Sequence, residues 1–188
     1  MKISLKGILI PNTVYSRSFE DYFDKVEVIS YPVVVKAARA GKGEKVYKLD
    51  NKKALEEFIN ELQVKRKREA KDFLMQEYIP YKYDLRCLVI GDKVFTMRRI
   101  PGEGEFRANF SLGGTVALFD LDEETRGFAI DALNAVDMSV GGVDVLITEN
   151  GRKYILEVNH TAGFLGMEKA TGENIGKIYV EHAIEKAI

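Results

Sequence analysis

Asn150-Gly151 stands between two segments that read as strands, Val143 to Glu149 and Arg152 to Val158, and is the strongest short-range hairpin signal in the chain. A two-residue turn there sets the register, with Glu149 opposite Arg152, Ile147 opposite Tyr154 and Asp144 opposite Glu157. Side chains alternate along a strand, so Asn159 shares the face of Glu157. Val143, Val145, Ile147, Tyr154, Leu156 and Val158 then line the other face as a core surface.

This pattern sets two carboxylates across from each other with an amide beside them. Like charges in that position weaken a sheet, and a low-dielectric cleft strengthens the repulsion. Something positive is needed there. Two carboxylates and an amide carbonyl are hard oxygen donors, suited to Mg²⁺ or Mn²⁺ with phosphate oxygens and waters completing the shell. The alternative is a solvated acidic sheet face, and a one-residue bulge would break the register.

The rest of the chain reads as mixed strands and helices. Tyr83 to Ile90 and Lys93 to Ile100 flank Gly91-Asp92, which predicts a type II′ hairpin with Asp84 opposite Arg99 and Asp84 and Arg86 on one face. Val26 to Ile29 and Val33 to Val35, separated by Ser30-Tyr31-Pro32, read as strand, turn, strand. Before them, Ser18 and Asp21 resemble a capping box opening a short helix with Phe19, Tyr22 and Phe23. Phe73 to Ile79 reads as a strand halted by Pro80. Asp50 or Asn51 caps a helix carrying Leu55, Phe58, Ile59 and Leu62, and Asp122 caps another with Phe128, Ala132, Leu133 and Val136. A last helix runs from about Glu173 to Ala187. Hairpins dominate the strand pairing, so the expected class is α+β.

Several residues suit a nucleotide. Lys36 ends an apolar strand before the Gly41 and Gly43 loop, an arrangement that can clamp a polyphosphate or simply place a lysine at a strand end. Gln76-Glu77-Tyr78-Ile79-Pro80 offers backbone groups where a strand exits, as an adenine hinge or an ordinary edge strand does. Arg107 and Asn109 lie in a Gly-rich loop from Pro101 to Thr115, and can hold a γ-phosphate or acyl phosphate or stay solvated. Asp84 and Arg99 fit a structural ion pair. His160 follows Asn159 and can line the site, whereas His182 reads as structural. The basic run around Arg66 lacks the interleaved aromatics of a nucleic-acid surface.

Composition narrows the class. Twenty-eight basic and 29 acidic residues nearly cancel among 188, which gives no push toward nucleic acid or a membrane. The single Cys87 excludes an intrachain disulfide and fits a reducing, cytoplasmic setting. No apolar run is long enough to cross a bilayer.

In order along the chain, Pro32-Val33-Val34-Val35-Lys36, Gln76-Glu77-Tyr78-Ile79, Asp84-Leu85-Arg86-Cys87-Leu88-Val89-Ile90-Gly91, Phe106-Arg107-Ala108-Asn109, Gly142-Val143-Asp144-Val145-Leu146, Glu157-Val158-Asn159, Gly163-Phe164 and Ala170-Thr171-Gly172 resemble the RimK-like branch of the ATP-grasp superfamily. The resemblance implies an ATP-grasp fold, two lobes whose antiparallel sheets enclose the nucleotide, divided here as 1–77 and 78–188. It implies that Lys36 holds ATP phosphates, Glu77 to Ile79 the adenine with Gln76 also in the nucleotide site, Asp84 the ribose, and Arg107 with Asn109 the phosphate end. Asp144, Glu157 and Asn159 would bind two Mg²⁺, and Lys36, Arg86 and Arg107 would stabilise developing charge. The implied reaction is ATP-dependent ligation of a carboxylate, often glutamate-type, to an amine through an acyl phosphate.

Asn159-His160-Thr161 resembles the LysX-type amino-acid ligases, which act on a carrier protein's glutamate. The family's usual N-terminal domain has no counterpart in this sequence. A separate polypeptide, a neighbouring subunit of a homo-oligomer, or true absence are the alternatives. One rival reading is therefore an accessory or regulatory ATP-binding subunit, and another is a small-molecule kinase on the same fold.

Overall fold

A computed structural model describes residues 3, 7–15, 20–37, 45–65, 73–108 and 113–187. The chain divides into two compact units, Pro11–Ile79, and Pro80–Ile188 together with Met1–Ile10. Ile8 lies in the core of the second unit with Ile3 and Ile10 packed against it, whereas a division at residue 77 places all three in the first lobe.

The Pro11–Ile79 unit holds strands β1 (Thr13–Tyr15), β2 (Val33–Ala37), β3 (Val46–Leu49) and β4 (Phe73–Glu77), with helices α1 (Glu20–Ile29) and α2 (Lys52–Lys65). The strands pair antiparallel in the order β1-β4-β2-β3. Val33, Val35, Leu49, Phe73 and Met75 face Tyr22, Val26 and Ile29 of α1 and Leu55 and Ile59 of α2. Alternation sends Val34, Lys36, Lys48, Leu74 and Gln76 to the opposite face. In α2 the Asn51 side chain accepts from the Ala54 N–H at 3.0 Å, the capping contact expected of this position.

Val26 to Ile29 is the last turn of α1 and not a strand. Tyr22, Val26 and Ile29 recur at helical spacing and are buried, while Val28 points out at 79% exposure. Burial on one face of the helix outweighed the β-preference of the valines. The helix stops where Ser30, at φ 72°, donates its N–H to the Val26 carbonyl at 2.9 Å. Ser18, Phe19, the glycines at 41 and 43, and the basic run at 66–68 lie outside the described residues.

The other unit is built on β5 (Tyr83–Ile90), β6 (Lys93–Ile100), β7 (Thr115–Leu118), β8 (Val140–Ile147) and β9 (Lys153–Asn159), with α3 (Glu123–Asn134), α4 (Leu165–Thr171) and α5 (Ile175–Ala187). The sheet is antiparallel, in the order β7-β6-β5-β8-β9. Leu85, Cys87, Val89, Val143, Val145 and Ile155 pack against Ala129, Ala132 and Leu133 of α3. Burying each Val or Leu there contributes roughly 1.5–3 kcal/mol. Asp122 caps α3 by accepting from the Thr125 N–H at 2.6 Å. The stripe below it is Thr125, Ala129, Ala132 and Leu133, and Val136 falls beyond the helix end.

The reverse face of this sheet is divided along β5. Leu88 and Ile90 sit under Met167 of α4 and Ile175 of α5. The earlier half of the same strand presents Asp84 and Arg86. One sheet face therefore passes from a covered apolar end to a polar end.

The β5–β6 hairpin turns through Gly91 at φ 58°, with Ile90 opposite Lys93 and Asp84 opposite Arg99, as read from the sequence. The β8–β9 hairpin differs. Thr148 N–H donates to the Arg152 carbonyl at 3.0 Å, Gly151 N–H to the Thr148 carbonyl at 3.0 Å, and Gly151 alone in the turn takes a positive φ. That is a three-residue loop, Glu149-Asn150-Gly151, whose left-handed residue is the glycine. Ile147 consequently opposes Lys153, not Tyr154. An irregularity between Asp144 and Val145 shifts the register back by one, so Asp144 does oppose Glu157. Ile155 then takes the core place expected for Leu156 and Tyr154.

Candidate active site

Three neighbouring strands build a charged cluster at the polar end of the five-stranded sheet. Arg99 on β6 donates from Nε to Asp84 Oδ1 on β5 at 2.5 Å. Its Nη2 reaches past β5 to Asp144 Oδ2 on β8 at 3.0 Å. Arg86 on β5 donates from Nη1 to Asp144 Oδ1 at 2.7 Å. Two arginines and two aspartates thus alternate across the sheet, all with side chains 21% exposed or less.

Burial pushes the Asp84 carboxyl up to about 6, against the opposing pull of Arg99. Burial alone would lower the Arg99 guanidinium, but Asp144 and Asp84 together hold it above its ordinary value. Cys87, on the opposite face of β5, is pushed up to about 12 by burial and is a packing residue.

Beside the cluster, Asp144 faces Glu157 across the β8–β9 pair, and Gly142 faces Asn159. Glu157 is exposed, and among the described residues its carboxylate has no ion pair. Asn159 Oδ1 accepts from the Thr161 N–H at 2.9 Å and hydroxyl at 3.2 Å. Among the described residues no three His, Cys, Asp or Glu side chains converge as a metal site. Asp144, Glu157 and Asn159 offer two carboxylates and an amide, hard oxygens of the kind that could hold Mg²⁺ or Mn²⁺. Two guanidiniums, those of Arg86 and Arg99, already sit on Asp144.

Gly142 makes room for one of them. A Cβ at this position would lie 2.6 Å from the Ala162 Cβ, 3.3 Å from Arg86 Cζ and 3.4 Å from Arg86 Nη2. The guanidinium lies over bare backbone.

In the other unit, Lys36 Nζ donates to Gln76 Oε1 at 2.8 Å, and Gln76 Nε2 donates to the Thr13 hydroxyl at 2.8 Å. Thr13 passes the chain to the Pro11 carbonyl at 2.9 Å. Lys48 lies 4.6 Å from the centre of the Tyr78 ring and 3.1 Å from Asp50. Lys36, Gln76 and Lys48 thus share the face away from the helices. Glu77 turns the other way along β4, and its Oε2 accepts from Asn12 N at 3.2 Å and Nδ2 at 3.0 Å. Ile79 is buried.

Arg107 is clasped by its neighbour. Glu105 accepts from Arg107 N and Nε at 3.0 Å each and from Nη2 at 2.8 Å, and Phe106 N–H adds a fourth bond at 2.8 Å. The Arg107 hydrogen bonds hold the Glu105 carboxyl down at about 2. Asn109 lies outside the described residues. His160 is exposed, and His182 Nε2 lies 3.1 Å from the Ser139 hydroxyl under the Gly91 turn.

Three features escaped the sequence reading: the second arm of Arg99, the Gly142 seat and the Glu105 clasp. The clasp has a local signal, two residues from Arg107. The arm of Arg99 has none, because it depends on β5 lying between β6 and β8.

Among the described residues no helix is long and apolar enough to cross a membrane. A profile described as RimK-like ATP-grasp domain matches residues 2–183. A Pseudoalteromonas atlantica protein named probable alpha-L-glutamate ligase 2 is 34% identical over 189 residues, covering 98% of this chain and 61% of the relative. A Pseudomonas fluorescens protein named probable alpha-L-glutamate ligase is 35% identical over 188 residues, 98% of this chain and 60% of the relative. The chain spans about three fifths of the length of these curated relatives.

Among solved structures, a Chryseobacterium gregarium RiPP-associated ATP-grasp ligase in complex with ADP and a leader and core peptide superposes with a TM-score of 0.74. It is 21% identical, and the match covers 100% of this chain and 58% of that one. The VanG D-Ala:D-Ser ligase of Enterococcus faecalis gives 0.72 at 20% identity, covering 97% and 58%. These two likenesses establish the fold, which is that of ATP-grasp ligases. The chain belongs to the RimK-like ATP-grasp domain family.

Proposed function

We propose that this chain is the ATP-grasp core of an ATP-dependent carboxylate–amine ligase that works through an acyl phosphate. The observation that carries the reading is the pairing of Asp144 with Glu157, flanked by Asn159, beside an arginine–aspartate cluster on one sheet face. Asp144, Glu157 and Asn159 would hold Mg²⁺ or Mn²⁺, which when bound neutralises phosphate charge.

The remaining roles fall to the chain's own side chains. Lys36, on the helix-free face of its sheet, holds ATP phosphates, and the Gln76 to Ile79 segment binds the adenine. Asp84 accepts a ribose hydroxyl. Arg107 and Asn109 hold the phosphate end, and Arg86 faces the acyl phosphate.

An oxygen of the substrate carboxylate bonds to the γ-phosphorus as the bond to ADP breaks. The amine nitrogen then bonds to the acyl carbon, inorganic phosphate leaves, and the amine proton passes to solvent. No protein nucleophile is needed, because positioning and charge neutralisation do the work. The relatives' names support glutamate as a substrate; the proposed acyl partner is a glutamate-type carboxylate, free or on a protein or carrier protein. A cytoplasmic setting, where ATP is available, goes with this.

The test is to incubate the protein with ATP, Mg²⁺ and panels of glutamate-type carboxylates and amines, following ADP release and amide mass. ADP and amide should appear together and vanish in Glu157→Gln. A stable phosphorylated product without amide would replace ligation with kinase chemistry.

A further inference from the structure

Asp144 already has a counter-ion, and its placement bears on how a metal site here must operate. Among the described residues Arg86 makes one ion pair, to Asp144 Oδ1 at 2.7 Å, whereas Arg99 is tied at both ends, to Asp84 and to Asp144. Arg86 is also the more exposed of the two, at 21% against 16%. Its guanidinium rests over Gly142, the residue paired with Asn159. Glu157, across from Asp144, has no ion pair among the described residues.

A guanidinium carries one positive charge and here satisfies one carboxylate. A divalent cation carries two and can take both Asp144 and the unpaired Glu157, with Asn159 as a neutral donor. Each oxygen lone pair directed at Arg86 is one that a cation cannot use.

We propose that Arg86 and a divalent cation are alternative counter-ions of Asp144, so that cation binding releases Arg86 from its seat over Gly142. This deepens the ligase reading and rests on its metal site. Arg99 stays in place as the fixed clasp between Asp84 and Asp144. The released Arg86 keeps its charge on the same face, where it is free to turn to the phosphate of a bound nucleotide. The site would then be armed by exchange: the arginine becomes available when the metal is in place.

The experiment is Mn²⁺ titration followed by electron paramagnetic resonance, without nucleotide, on the wild-type protein, Arg86→Gln and Glu157→Gln. Removing the competitor should tighten Mn²⁺ binding by at least about tenfold in Arg86→Gln, and Glu157→Gln should lose it. If Glu157→Gln loses Mn²⁺ while Arg86→Gln binds it equally or more weakly, the exchange is wrong and the metal reading stands. If Glu157→Gln binds Mn²⁺ as wild type does, the metal reading fails and the exchange with it.

Should Arg86→Gln not fold, wild type alone decides. The Arg86 Nε–H resonance should shift in step with added Mg²⁺. An Arg86 signal that stays fixed while Mg²⁺ shifts the Glu157 and Asn159 amides would overturn the proposal.

Discussion

Replacing Arg99 with methionine keeps the side chain's bulk and removes its charge. Asp144 would retain Arg86, but Asp84 would lose the guanidinium 2.5 Å away while its side chain stays 6% exposed. Stranding a buried carboxylate in this way costs about 3–5 kcal/mol, a large part of the roughly 5–15 kcal/mol that holds a domain folded. The loss must depend on pH. Asp84 sits at about 6 in the folded protein against 3.8 for the free side chain. A raised carboxyl binds more protons folded than unfolded, so acidification stabilises across that interval and the gain is lost as pH rises through about 6. Without Arg99 the folded value rises further, and the penalty is largest in alkaline solution.

Urea titration of wild type and Arg99→Met at about pH 8 and about pH 5 measures this directly. The deficit should shrink at the lower pH. Adding Asp84→Asn to Arg99→Met should recover stability at the higher pH, because no buried charge is left unpaired. A deficit below about 1 kcal/mol, the level of an exposed pair, or one equal at both pH values would refute the reasoning.

Other consequences are simpler to check. Gly142→Ala should cost about 1–3 kcal/mol by forcing its methyl against Ala162 and Arg86, read as a lowered melting temperature. Asn51→Ala and Asp122→Ala should each cost about 1 kcal/mol by uncapping α2 and α3, measured by chemical denaturation. Glu105→Gln should change stability near neutral pH by less than about 1 kcal/mol, since the pair with Arg107 is partly exposed. That small contribution is present above the unfolded carboxyl value and lost as pH falls toward about 2, so acid titrations of the two proteins should converge there. Cys87 should resist thiol reagents in the native state and react at once in denaturant, because burial disfavours its thiolate.

How much of this was legible in the sequence depends on how local each signal is. Gly91-Asp92 set both the turn and the Asp84–Arg99 pairing, because a two-residue loop with one left-handed glycine leaves a single register. Asn150-Gly151 marked its hairpin but not the loop length, and Asp144 met Glu157 only because the later shift in β9 cancelled the longer turn. The α1 C-terminus misled, since Val26, Val28 and Ile29 are β-branched and the helical burial of Val26 and Ile29 depends on a sheet formed from distant residues. Strands β1, β3 and β7 are three or four residues long, too short for alternation to show. Within the site, the Asp84–Arg99 pair was legible from its hairpin register, while the reach of Arg99 across β5 followed only from strand order.

The proposed ligase depends on a metal–nucleotide site organised by the Asp144–Glu157 pair. Calorimetric titration of ATP with and without Mg²⁺, into wild type and Glu157→Ala, tests it most directly. Wild type should bind ATP in a Mg²⁺-dependent way, with that dependence abolished in Glu157→Ala. ATP binding indifferent to Mg²⁺, or identical in the two proteins, would contradict it.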